Sequence, residues 1–187
     1  QVDLVILLES TAQMATHVPN VYRALVDGLG AAVNTCKLEP RLTWLVVDAK
    51  KPGADPAGTL GSIAAALAST PFKQTHQQYL VGIGRTGPFK QDQPQPSIGQ
   101  ATPGAEGADA IADLCKLFDW RPNACRAIFY VGNSPLDGNS TFDVAAAANA
   151  TAAALSNGVV LFAHCVTSPS TNSAAAPYRD MCQPTGG

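Results

Sequence analysis

Charge is scarce in this sequence. Asp, Glu, Lys and Arg make up 14% of its 187 residues, against about a quarter in an ordinary soluble domain, and the net charge is −2. There is no Lys/Arg run. The clustered cations that neutralise a phosphate backbone are missing, so nucleic acid is not an expected partner. No apolar run approaches the ~18 residues of a spanning helix, which argues against membrane insertion. No leader pattern is present: the chain opens on Gln1 directly before a strand, as a processed chain or an excerpt would. Cys-x-x-Cys is absent, against a zinc ribbon or thioredoxin-like centre. Gly-x-Ser-x-Gly is absent too, so His17, His76 and His164 have no nucleophile elbow to serve. His164 lies inside a strand and is expected to pack rather than act as a base. Cys165 beside it is expected to be a buried, unreactive thiol. An enzyme is therefore not expected. It would require an enclosed pocket that exposes Cys165 or His164.

What is present is apolar. Hydrophobic residues reach 46%, enough for one domain with a sizeable core. Strands are expected at 3–8, 42–48, 78–84, 126–132 and 159–166. Helices are expected at 20–36, 59–69, 109–118 and 141–156, with a last helical turn or two from Pro177. Strand and helix alternate, and the strands are apolar throughout rather than every second residue. That pattern belongs to strands covered on both faces, hence to an α/β fold with a doubly wound, mostly parallel central sheet flanked by helices. There is no internal repeat and no second domain. Residues 1–187 read as a single domain. Ligands on such sheets sit beyond the carboxyl ends of the strands.

Cys115/Cys125 and Cys165/Cys182 each bracket a short loop that a disulfide would close, leaving Cys36 over. The alternative is five reduced thiols packed as small hydrophobes. Asn139-Ser140-Thr141 and Asn149-Ala150-Thr151 are glycosylation sequons. In the helix 141–156, Val144, Ala148, Ala152 and Leu155 are expected to face inward, with Asn149 on a flank where a glycan fits. Cysteine pairs and sequons together point to an extracellular, secreted protein.

Two strings bear on chemistry. GIGRTG (82–87) spells a dinucleotide fingerprint, but Pro88, Phe89 and Lys90 follow it where a helix would have to start, so it reads as a glycine-rich strand exit. LLESTAQM (7–14) ends a buried strand in acid-x-hydroxyl, with Glu9, Thr11 and Gln13 at alternate positions.

DLVILLESTAQM resembles the first strand and D-x-[ST]-x-S motif of von Willebrand factor A (vWA) domains. GAEGADAIADL resembles that family's Gly-rich entry to the helix that carries its second motif. DWRPNACRAIFYVGNSP resembles its W-R-P-x-A-x-[KR]-x-[IV] strand, which normally ends in T-D-x-P. YRDMCQPTGG resembles the helix and Gly-Gly turn before its final strand. The strings span nearly the whole chain in the family's order. The resemblance implies a vWA-like domain that lacks its last strand or is excerpted from a longer chain.

In that family three loops build a metal-ion-dependent adhesion site for Mg²⁺ or Mn²⁺. Carried over by position, its residues are Glu9, Thr11, Gln13, Glu106 and Asn133, and only Thr11 keeps the family's residue type. Mg²⁺ needs near-octahedral hard oxygens at about 2.0–2.1 Å. Glu for Asp pushes the carboxylate outward, Gln is too bulky for a hydroxyl position, and Asn133 removes an anion. The site is therefore expected to be degenerate and metal-free, with Mg²⁺ or Mn²⁺ as the alternative. The resemblance implies a non-enzymatic protein-interaction or adhesion module that uses this edge, with Lys50, Lys51 and Asp137 beside it. The partner is a protein, or copies of the chain itself in an extracellular assembly or filament. A second resemblance is to the vWA domain of a Mediator subunit, in Glu9-Ser10-Thr11 and Asn133-Ser134-Pro135. It implies a nuclear coactivator scaffold instead.

Overall fold

A computed structural model describes residues 1–9, 37–48, 107–133, 136, 143–166 and 175–187, the backbone of 74–80, and many positions between 17 and 36. Among the described residues five strands are present: β1 (Val2–Glu9), β2 (Pro40–Asp48), β3 (Gln74–Leu80), β4 (Cys125–Gly132) and β5 (Val159–Cys165). The described positions between 17 and 36 are helical, and this stretch is α1. Three further helices follow: α2 (Gly107–Leu117), α3 (Asp143–Asn157) and α4 (Ala175–Cys182), the last running into a short 3₁₀ turn, Gln183–Thr185.

The strands form one sheet in the order β3-β2-β1-β4-β5, and every neighbouring pair is parallel. This is the doubly wound α/β sheet that the alternation predicts. β1 is the central strand, and the chain crosses back past it between β3 and β4. The tips of β1 and β4 therefore flank the switch point of the sheet, where such folds place their ligands.

Alternate residues of each strand face opposite layers. Val5, Leu7, Leu45, Val47, Ile128, Tyr130 and Leu161 pack with α2, α3 and α4. Leu4, Ile6, Leu8, Leu42, Trp44 and Val131 pack on the other face, with Val21 of α1 against them. Two expectations need correction. β3 begins at Gln74 rather than 78, because an edge strand needs no apolar run and QTHQQ carries none. Residues 81–84, the rest of the expected strand, lie outside the described residues, as does the expected helix 59–69.

The helix α3 is rotated from the expected phase. Its buried residues are Ala146, Ala147, Ala150, Ala153 and Ala154, while Val144 is 77% and Leu155 57% exposed; Ala148 and Ala152 are exposed as well. An alanine-rich helix offers an apolar stripe on every side, and the stripe of methyls is chosen because it packs closely against the alanines of α2.

The buried Asp3 locks the amino edge of the sheet. Its carboxylate, 1% exposed, accepts from Arg121 Nε at 2.6 Å and from Arg41 at 2.8 Å. The Arg121 backbone N–H adds a third bond at 2.7 Å. The same Arg121 guanidinium donates to the carbonyls of Val2 and Glu39, and Arg41 donates to the Asp119 carbonyl. Arg41 also stacks over Phe118, 5.5 Å from the ring centroid, and Phe118 meets Trp120 edge-on at 4.6 Å. The Asp-Trp-Arg string before β4 thus ties β1, β2 and the end of α2 to one carboxylate. Removing it leaves two guanidiniums uncompensated, so Asp3→Ala is expected to cost about 3–5 kcal/mol, read as a lower urea midpoint at unchanged m-value.

Candidate functional site

At the carboxyl edge, β1 ends in Glu9 and β4 ends in Gly132, followed by Asn133. Glu9 is fully buried. The Asn133 backbone N–H donates to its Oε2 at 2.7 Å, bridging the two strand tips. Beyond them, the Val166 N–H donates to the Gly132 carbonyl at 2.8 Å. Leu136 is buried, and the Ala108 N–H of α2 donates to its carbonyl at 3.0 Å.

Two tyrosines complete the cluster. Tyr130 of β4 and Tyr178 of α4 lie with ring centroids 5.6 Å apart. A Cβ placed on Gly132 would lie 2.6 Å from the Tyr130 hydroxyl, 2.8 Å from the Tyr178 hydroxyl and 2.9 Å from Glu9 Oε2. Three oxygens therefore converge over a residue that must lack a side chain. Gly107, opening α2, is equally flush against the tip of the Tyr130 ring. The positive end of the α2 dipole thus lies beside the cluster, a favourable setting for the Glu9 carboxylate.

This environment holds the protons on Tyr130 and Cys165. Burial, then Tyr178 and Glu9, push the Tyr130 phenol well above its ordinary value of 10.0. Burial and Glu9 also raise the Cys165 thiol, partly offset by a hydrogen bond with Tyr178. Neither the Tyr130 phenol nor the Cys165 thiol is thus an activated nucleophile.

Of the expected site residues, the structure brings Glu9 and Asn133 together. Thr11, Gln13, Glu106, Lys50, Lys51 and Asp137 lie outside the described residues, as do GIGRTG and the sequon asparagine Asn139. Glu9 and Asn133 do not fit a divalent cation. The carboxylate is inside the protein rather than presented outward, and Asn133 offers it a backbone donor where a metal site needs an oxygen. Among the described residues, no group of three or more His, Cys, Asp and Glu is arranged to hold a metal ion. Tyr130 and Tyr178 were not anticipated. Tyr130 reads as one more apolar residue of a buried strand, and Tyr178 follows a Ser/Ala loop with no signal at all.

The two expected disulfides are not formed, and all five cysteines are free thiols. Cys115 is buried on α2 while Cys125 is exposed at the start of β4. Thr185 accepts from the Leu161 N–H and donates to the Cys182 carbonyl. That ties the end of α4, where Cys182 lies buried, to β5 at Leu161. Asn149 is exposed on α3, while the hydroxyl of its sequon partner Thr151 lies 2.9 Å from the carbonyls of Ala147 and Met181. His164, expected to pack, is exposed. It lines a cleft of about 380 Å³ on the α1 face with His17, Asn20, Val21, Ala24, Phe129 and Val166.

Comparison with protein-family models, curated proteins and solved structures finds no match for this chain.

The Tyr130 shift carries a sign. A phenol that keeps its proton longer in the folded state contributes stability that is complete below about pH 10 and is lost as pH rises above it. The urea midpoint is expected to fall along an alkaline limb, and Tyr130→Phe to flatten that limb while lowering neutral-pH stability by about 1–2 kcal/mol, because a buried hydroxyl beside Tyr178 and Glu9 is lost.

Proposed function

We propose that this chain is a non-enzymatic protein-interaction module of the vWA type, working without a metal at its switch-point edge. The observation that supports this reading is the buried Glu9 carboxylate on the Asn133 N–H. The position from which the family draws its first metal ligand here closes the gap between two strand tips. With that acid turned inward, a partner would meet the surrounding loops directly, through hydrogen bonds and apolar contacts. The partner is a protein, or further copies of the chain in an extracellular assembly.

A ligand that binds only the folded state raises thermal stability by mass action. Millimolar Mg²⁺ or Mn²⁺ is expected to leave the unfolding temperature of the wild type within about 1 °C of that in chelator. A chelator-reversible rise of several degrees, abolished by Glu9→Ala, would restore a working metal site.

The second reading is a nuclear coactivator scaffold. It rests on the resemblance of Glu9-Ser10-Thr11 and Asn133-Ser134-Pro135 to the vWA domain of a Mediator subunit. Mass measurement of the intact protein from its native source, before and after reduction and glycosidase treatment, separates the two. Secretion predicts a glycan on Asn139 or Asn149. An unmodified mass with five free thiols supports the nuclear scaffold.

A further inference from the structure

The cleft on the α1 face is separate from the Glu9 cluster by the thickness of the sheet. Phe129 and His164 belong to the face opposite Tyr130, since His164 is the register partner of Val131 and Phe162 that of Phe129. Val21 and Ala24 of α1, Phe129 of β4 and Val166 beyond β5 supply apolar walls. His17, Asn20 and His164 supply the polar groups, and no carboxylate is among the described lining residues. The apolar floor runs on to Phe162, which stands 42% exposed beside Phe129.

Each imidazole carries an N–H donor in either charge state, and the Asn20 amide carries two more. Donors grouped at one apolar cleft without an acid suit an anionic head with an apolar tail. A phosphate would call for Arg or Lys forks, which this lining does not contain. The volume of about 380 Å³ falls in the range of small-molecule sites. We infer that this cleft is a binding site for a small amphiphilic carboxylate. The head is held by His17, His164 and Asn20, and the tail lies over Phe129 toward Phe162.

The test uses decanoate, with 1-decanol as a probe of equal tail and neutral head, in calorimetric titrations of the whole chain below the aggregation limit of either. Decanoate is expected to bind, and to bind more tightly than decanol. His17→Leu and His164→Leu each remove a hydrogen bond to a charged group and should weaken decanoate about tenfold, with decanol unchanged. Both histidines are exposed, so the variants should keep the wild-type unfolding temperature. Amide-resolved NMR should place the perturbations at Val21, Ala24, Phe129 and Val166. Equal affinity for the two probes, decanoate binding that survives the double His variant, or no decanoate binding at all would each overturn the assignment.

Discussion

The fold depends on the burial of a carboxylate at each end of its central strand. β1 has β2 on one side and β4 on the other, and it carries Asp3 at its second position and ends at Glu9, with both side chains out of water. An acid survives such a place only where donors replace the lost hydration. The two ends do this differently. At Asp3 the donors are two guanidiniums and a backbone N–H. At Glu9 the described donor is the Asn133 backbone N–H, with the Tyr130 and Tyr178 hydroxyls gathered near it around Gly132. The first arrangement is a charged clamp that sets which strands lie beside β1. The second supplies its stabilisation through dipoles, which leaves it dependent on the exact placement of Gly132 and Gly107.

That contrast explains what could be read in advance. The sheet and its parallel order follow from buried strands such as VDLVILL and RAIFYV, whose apolar runs require helices on both faces. The clamp was not read in advance: Asp3 passes as one residue of an apolar strand, and its partners Arg41 and Arg121 lie far along the chain. The phase of α3 was not legible. In AAAANATAAA alanines lie on nearly every helical face, and the stripe that is buried is the one packed in the same core as the alanines of α2. β3 was partly hidden for the opposite reason, since its edge position removes the need for hydrophobicity that marks the other strands.

The candidate site was half legible. A strand that stops at an acid, and another that stops at Gly-Asn, could be assigned to one edge from the topology alone. Whether the acid points out to a ligand or in to a backbone donor depends on its neighbours across the sheet, and those come from chain positions 130 and 178. No local pattern reports such a meeting. The same holds for the cysteines: short sequence spacing suggested bridges, but Cys115 is buried while Cys125 is exposed, and all five remain free thiols.

The Glu9 cluster and the α1-face cleft share β4, separated by a single step along it. Tyr130 turns toward the helices α2 and α4, while its neighbour Phe129 turns toward α1. Because side chains alternate with a period of two, a one-residue slip of β4 against β1 would send the phenol into the apolar cleft and the phenyl ring against the Glu9 carboxylate. Neither exchange is tolerable, since the first buries a hydroxyl among hydrocarbon and the second strips polar neighbours from a charge. The register that closes the strand tips over Glu9 is therefore the same register that builds the cleft, and the Asp3 clamp at the far end of β1 holds both in place.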